Sequence, residues 1–586
     1  MLPLFTVGGY RTTRRGSRDP RLVILVVIGG IAWGIIAVRL FIVQVQNGGW
    51  YTSLASGQRE LFQRLLPERG SIAVHDRRVT DGQFPIATNR QTFTIYAVPK
   101  DVQDARRTAR KLASPLGIPE ETLIERFRNA SSTWYIPLKR KVSRADRDAI
   151  LALTLPGIAA ESTLIRYYPD GAATAHLTGF VGEDANGIAG RYGLEGAFDR
   201  LLAGSAGFLD TERDPRGSWI IFGKRAMSPA AHGASLLLTI ERELQLEVCN
   251  RLTAAVSAHG AAGGTVVVLD PRTGAVRAMC SVPAFDPNAY QETTDIARFN
   301  PPAIVAAYEP GSVFKPITMA AAIDAGVVDP GTRFTDAGSV TVDGSTITNT
   351  DGRVYGEQTM ADVLRFSINT GAVFVARTLG VDRFRAAVER FGFGVRSDIE
   401  LAGEVPGDTS ALAARRDIYL ATASYGQGIT VTPLQLAVAY ATIANGGKLM
   451  APYLVEQITR ADGTRQRIEP RVVRQAITTR TATLLQGMLV SVVTDGYPKR
   501  AGVKGYRIGG KTGTAQIPYA NRPGYSNEMI HTFAGSGPVD QPTFAMVVRM
   551  DRPATLRFAD STAAPLFGEI AKAILQYDGI TPTPDH

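Results

Sequence analysis

"YEPGSVFKPIT", Tyr308 to Thr318, sets a serine and a lysine one helical turn apart and flanks them with prolines. The apolar run beyond it, Ile317 through Ile323 with Gly326 as its stop, reads as a helix. Backbone N–H groups in the first turn of a helix have no internal partner, so Pro316 costs little there. The helix therefore starts at or just before Ser312. A residue preceding proline disfavours helical geometry, which sets some tension on Lys315. On this reading Ser312 and Lys315 share one helix face. That is the geometry of a nucleophile beside its base.

A single Ser-x-x-Lys is weak evidence, since chance yields about one in a chain of this size. Two more stretches change its weight. "FSINTG" places Ser367 and Asn369 in a helix-like segment, and "GGKTGTAQ" places Lys511, Thr512, Gly513 and Thr514 on a predicted strand. Ser312 is a weak nucleophile until a base takes its proton. Lys315 can do so if its amine is neutral, and both burial and a second cation, Lys511, push it that way. Ser367 is suited to relay a proton, and Asn369 to hold Lys315 and a substrate amide. Lys511 is expected to stay charged and, with Thr512 and Thr514, to bind a substrate carboxylate. Gly513 lets the strand approach the substrate closely. The backbone N–H groups of Ser312 and Thr514 are the candidates for an oxyanion hole. Each of these residues alone would be an ordinary helix serine, surface lysine or bulge glycine. Together, in this order, they read as a catalytic set.

The N-terminus fixes where that chemistry takes place. Leu22 to Val38 carries no charge, and the apolar character continues to Val43, long enough to cross a bilayer with Arg39 snorkelling near one end. Arg11, Arg14, Arg15, Arg18 and Arg21 precede it against a single Asp19, whereas only Arg59 is basic between Val43 and Gln63. The positive-inside rule then keeps residues 1–21 in the cytoplasm and sends the chain after 43 outward. A cleaved signal is disfavoured because the nearest small-x-small pattern, Ser53-x-Ala55, lies well past an apolar run too long for a signal core. With no second span, the expectation is a single-pass protein.

With 586 residues, 45% hydrophobic and 20% charged, the chain has room for several full cores. The net charge of +10 comes without a basic run interleaved with aromatics, which argues against nucleic acid. Cys249 and Cys280 are the only cysteines, so there is no disulfide framework and no Cys-rich zinc site. Two buried free thiols are expected in preference to one bridge. The six histidines show no metal-ligand spacing, and His531 is expected to pack or hydrogen-bond. No cofactor is implied.

Residues 44–232 mix strands ("PERGSIAVHD", "LTGFVGED") with an amphipathic helix in "DVQDARRTARKLASPLG", which indicates α+β character. Small residues from Ser228 to Ser235 mark a boundary. Beyond it, "TIERELQLEVCNRLTAAVSAHG" reads as a helix capped by Thr239 with Leu244, Val248, Leu252 and Ala255 on one face. "GTVVVLDPRTGAVRAMCSV" reads as a hairpin, and strands are expected at 508–517, 529–535 and 544–550 before a closing helix, "APLFGEIAKAILQY". These features predict one antiparallel sheet completed by C-terminal strands.

The motif set, with "RGSIAVHD", "RYYPDGAATAHLTGFVG", "GLEGAFDRLLAG", "LTIERELQ" and "YGQGITVTPLQLAVAYATIANGG", resembles the class B penicillin-binding proteins, most closely the FtsI-type septal peptidoglycan D,D-transpeptidases. "YEPGS" and Ser-x-Asn look like the septal branch; the elongation branch more often has Ser-x-Asp. "HDRRVTDG" departs from the family's usual Asp-Arg-Asn-Gly. The resemblance implies an α+β architecture: a transmembrane helix (22–43), a non-catalytic pedestal of the dimerisation type (44–232), and a transpeptidase domain (233–580). The last would have a five-stranded antiparallel sheet flanked by helices, like the serine β-lactamases. It further implies that Ser312 attacks the D-Ala-D-Ala bond of a stem peptide and that a neighbouring stem's amine resolves the acyl-enzyme. β-Lactams would acylate the same serine. The implied partners are an FtsW-type SEDS glycosyltransferase and other division proteins. An elongation-type enzyme, a β-lactamase, a D,D-carboxypeptidase and a catalytically silent division scaffold are the alternatives; the anchor and long pedestal weigh against the lactamase, and the intact motifs against the scaffold.

Overall fold

The computed structural model describes residues 20–46, 60–65, 67–129, 135–184, 187–212, 225–519, 521–554 and 558–582. It comprises two compact units, Met1–Pro67 with Ser205–Ala231, and Glu68–Gly204 with His232–His586. In the first unit the apolar N-terminal run is helix α1, Pro20–Phe41. Its window Ile24–Val45 has a mean hydropathy of 2.4 and buries nothing against protein. A helix apolar on every side with no protein partner suits lipid. Among the described residues it is the one helix long and apolar enough to cross a membrane. The same unit holds a three-stranded antiparallel sheet, ordered Glu60–Leu65, Gly207–Glu212, Arg225–Ser228.

The second unit begins with β1 (Ile72–His75) and the long β2 (Gln83–Ala97), whose β-branched and aromatic residues suit a strand of 15 residues. Past β1, strand β2 pairs with Ile158–Tyr167 and Ile136–Val142. Helices Ala105–Leu116 and Glu120–Arg128 cover that end through Leu112, Leu116, Leu123 and Phe127, packed on Phe93 and Ile95. The first of these helices runs as expected: the Asp104 carboxylate accepts from the Arg107 N–H, and Gly117, at φ +64°, ends it. β1 also pairs, in parallel, with β3 (Ser235–Glu241), which pairs in turn with Val455–Thr459. Residues on both sides of Ser228–Ser235 therefore share one sheet.

A buried ion cluster ties the segment before β1 to "GLEGAFD". The fully buried Glu195 accepts from Arg69 Nε and Arg166 Nε, each at 2.6 Å, and Arg69 also reaches Asp199 at 2.8 Å.

Helix α2 (Arg242–Ala258) follows β3 directly. Thr239 is not its cap. The chain is still extended there, and the Thr239 hydroxyl donates to the Val276 carbonyl at 2.8 Å. Next come the expected hairpin, β4 (Gly263–Leu269) and β5 (Val276–Val282), then α3 (Lys315–Asp324), α4 (Met360–Arg365), α5 (Asn369–Leu379) and α6 (Pro433–Ala444). Toward the C-terminus lie strands β6 (Gly509–Pro518), β7 (Tyr525–Gly537) and β8 (Phe544–Asp551) and helix α7 (Ala563–Tyr577). The five strands form the expected antiparallel sheet, in the order β5-β4-β8-β7-β6. Alternation gives it two buried faces. Val266, Val268, Val548 and Phe533 pack with α2 and α7, while Val267, Leu269 and Val547 pack with α6 and α3. Every residue of α6 is buried, so it is an internal strut.

The two cysteines are buried but not free. Cys249 on α2 and Cys280 on β5 form a disulfide, with their Cα atoms 5.5 Å apart. Spacing along the chain did not reveal this, because the pairing arises only once α2 folds back over the sheet and brings the two residues within bridging range.

Two stability predictions follow from this packing. Glu195→Ala leaves the Arg166 guanidinium buried without a counter-charge, and Arg69 with Asp199 alone, and is expected to destabilise by about 3–5 kcal/mol in chemical denaturation. Cys249→Ala with Cys280→Ala opens a loop with a sequence separation of 31 and is expected to lower stability by about 3–4 kcal/mol; unchanged unfolding under reducing conditions would show that the link adds nothing.

Candidate active site

The serine sits in a 3₁₀ turn, Gly311–Phe314, that runs into α3 at Lys315. The start expected from Pro316 is thus correct to within one turn, and Lys315 keeps helical angles (φ −53°, ψ −39°) despite the proline after it. Three glycines allow the turn to lie where it does. Gly311 has φ +63°, and a Cβ there would meet Ala515 Cβ at 3.3 Å. A Cβ on Gly513 would lie 2.7 Å from the Pro310 carbonyl oxygen. Gly513 therefore lets β6 approach the serine turn, where the sequence suggested approach to the substrate. Behind the turn, Gly311 N–H donates to the Gly426 carbonyl at 3.0 Å. A Cβ on Gly426 would lie 2.2 Å from the Gly311 carbonyl oxygen.

Lys315 is 1% exposed. Its Nζ donates to the Ser367 carbonyl at 2.5 Å, to Ser367 Oγ at 3.2 Å and to Asn369 Oδ1 at 2.8 Å. Burial, reinforced by the positive charge of Lys511, holds its pKa well below the ordinary lysine value. Ser367 is not inside a helix, as the sequence suggested. It lies in the turn between α4 and α5 with φ +60°. A non-glycine residue in that region costs of order 1–3 kcal/mol. The turn aims both the carbonyl and the hydroxyl of Ser367 at Lys315. Asn369 opens α5.

Lys511 lies on β6, the edge strand, with its Nζ donating to the Thr512 carbonyl at 3.2 Å. It is as buried as Lys315, and burial brings its pKa down to about 7. Along β6, Lys511 and Gly513 are buried while Thr512 and Thr514 are partly exposed, as strand alternation requires. The Thr514 hydroxyl accepts from the Ala559 N–H at 3.1 Å. His531, opposite Thr514 in register, is buried and bonds Thr562 Oγ1 at 2.8 Å, the packing role expected of it.

Ser312, Ser367, Thr512 and Thr514 line one cavity of about 240 Å³. Three motifs far apart in sequence thus meet at one opening. The rest of its wall comes from residues that no sequence motif singled out. Tyr355 stacks on Phe366 at 5.7 Å between ring centroids, and its hydroxyl reaches Asp351 at 2.5 Å and Tyr497 at 3.2 Å. Phe558 and Asp560 face them from the loop before α7. The cluster of Asp351, Arg353 and Tyr355 within a few positions was the one local signal of a polar-aromatic mouth.

Residues 264–575 match the family model "Penicillin binding protein transpeptidase domain", and residues 64–238 match "Penicillin-binding Protein dimerisation domain". The chain is 32% identical to stage V sporulation protein D of Bacillus subtilis, over 96% of this chain and 86% of that protein. It is 34% identical to peptidoglycan D,D-transpeptidase FtsI of Escherichia coli, over 89% and 85% of the two chains. Among solved structures, penicillin-binding protein 3 of Mycobacterium tuberculosis complexed with aztreonam superposes with a TM-score of 0.67 at 26% identity, covering 89% of this chain and 98% of that one. The chain belongs to the class B penicillin-binding proteins, a family of peptidoglycan D,D-transpeptidases.

Proposed function

We propose that this protein cross-links peptidoglycan stem peptides at the division septum through an acyl-enzyme on Ser312. The observation that carries the reading is the hydrogen bonding of a buried Lys315 to Ser367 and Asn369 beside a cavity lined by Ser312 and the Lys-Thr-Gly strand. Lys315, kept neutral, gives its two N–H groups to the Ser367 carbonyl and Asn369 Oδ1, and its lone pair takes the Ser312 proton as the hydroxyl attacks the penultimate D-alanine carbonyl. The N–H groups of Ser312 and Thr514 receive the oxyanion, a contribution worth about a hundred- to a thousandfold per donor. Ser367 passes the proton to the departing D-alanine. Protonated Lys511, with Thr512 and Thr514, holds the terminal carboxylate. The amine of a second stem then attacks the ester, forms the new amide and restores Ser312. β-Lactams, which imitate the dipeptide, acylate the same oxygen.

The arginine-rich residues 1–21 face the cytoplasm, residues 22–43 cross the membrane, and residues 44–232 raise the catalytic domain (233–580) outside it. An FtsW-type SEDS glycosyltransferase supplies the glycan strand. The septal assignment is supported by the Ser-x-Asn motif and by the relative named FtsI, while the relative named for sporulation keeps a sporulation role as the competing reading. Depletion separates them: filamentous cells are expected, and normal division with defective spores would refute the septal role.

Ser312→Ala is expected to abolish covalent labelling by a fluorescent penicillin while the protein stays folded; labelling that persists would reject the serine. The pH dependence is set by the two lysines. Acylation per enzyme rises as Lys315 loses its proton, well below the usual lysine range, and falls as Lys511 loses its own near 7, giving a bell-shaped kcat/KM. Lys511→Arg keeps its charge, so the alkaline limb is expected to vanish while the acid limb remains.

A further inference from the structure

Asp336 ends the strand Arg333–Asp336 and is 1% exposed. Its carboxylate accepts four hydrogen bonds. Oδ1 receives the Gly338 N–H at 2.9 Å and the Thr370 hydroxyl at 2.6 Å; Oδ2 receives Asn349 Nδ2 at 2.9 Å and the Tyr355 N–H at 2.8 Å. Burial alone would raise its pKa, but the Thr370 hydroxyl and the other donors outweigh burial and hold the carboxyl below the usual range. The group is an anion saturated with donors and does not line the catalytic cavity.

Asn349 continues the chain of contacts. Its Oδ1 accepts from the backbone N–H groups of Asn369 at 3.0 Å and Thr370 at 3.4 Å. These belong to the first turn of α5, whose N-terminal flanking residue, Ile368, has no side chain that can cap. Asn349 therefore caps α5 from another part of the chain. Asn369 is held further by Nδ2, which donates to the Thr348 carbonyl at 2.9 Å and to Thr350 Oγ1 at 3.3 Å. With its N–H and Nδ2 so engaged, Asn369 turns Oδ1 to Lys315 Nζ, 2.8 Å away.

We propose that Asp336 is a positioning residue for acylation, setting Lys315 Nζ against Ser312 through Asn349 and the first turn of α5. The proposal rests on the reading of Lys315 as general base. Asp336→Asn tests it, because a carboxamide has one oxygen and cannot satisfy four donors whichever way it turns. Using a fluorescent penicillin on the full-length chain, the acylation rate per active site is expected to fall about ten- to a hundredfold. The fraction of molecules that eventually acylate stays at the wild-type level. A merely structural role would do the opposite, lowering that fraction while the surviving molecules react at the normal rate, and this result would overturn the proposal. Thr370→Val removes one donor with little change of shape; it is expected to slow the rate by a smaller factor and decides the matter if Asp336→Asn does not fold. An unchanged rate in that variant rejects the proposal. Lys315→Met separates the two layers. If it acylates normally, the general-base reading itself fails. If it is inactive while Asp336→Asn reacts at the wild-type rate, only the positioning role falls.

Discussion

A lysine side chain with almost no contact with water and three oxygen atoms around its nitrogen is the constraint that organises this molecule. Transfer of an ammonium out of water is costly, so the protein either pairs such a group with a carboxylate or shifts its proton equilibrium. Among the described residues, the hydrogen-bond partners of Lys315 Nζ are a carbonyl, a hydroxyl and a carboxamide, with no carboxylate. The equilibrium is shifted instead, which on the proposed roles makes an amine one helical turn from a serine available as its base.

The rest of the catalytic unit can be understood as what brings those acceptors together. β6 must lie close against the serine turn, and Gly311 and Gly513 have no Cβ at the two points where the backbones meet. α6, buried all round, supports that turn from beneath: Tyr440 donates its hydroxyl to the Val313 carbonyl at 2.9 Å. Ser367 takes a left-handed conformation that only a well-fixed neighbourhood sustains. The strained residue lies beside the Lys315 nitrogen, and the residues that follow it in α5, Asn369 and Thr370, are held by Asn349.

Much of this was legible in the sequence, and the parts that were not share a cause. The hairpin β4–β5, the three C-terminal strands and α7 were readable because period-two and helical patterning are local. The motif residues were readable because their types and order carry chemistry. Thr239 was misread as a cap because capping and extended pairing both suit a threonine, and only the pairing of β3 with its neighbours decides between them. The Cys249–Cys280 bond, the φ of Ser367 and the capping of α5 by Asn349 depend on segments that meet only in three dimensions. The same holds for the aromatic wall of Tyr355, Phe366 and Tyr497. No periodicity records such meetings.

The two buried lysines are best understood as one system rather than two independent groups. Each is desolvated, and the charge of Lys511 is among the causes that lower the proton affinity of Lys315. Like charges sharing a low-dielectric site do not both stay ionised, and their titrations are coupled. Lys511 lowers the proton affinity of Lys315 only while it carries its own proton. A substrate carboxylate placed beside Lys511 favours the ammonium there. The carboxylate's own negative charge opposes that ammonium at Lys315, so burial is the main cause that keeps the Lys315 amine neutral once a substrate is held. On the proposed roles, recognition of the terminal carboxylate at Lys511 and activation of Ser312 by Lys315 are therefore separate tasks of two buried amines. A ligand that lacks the carboxylate would lose binding energy at Lys511 and leave the base of Ser312 as it was.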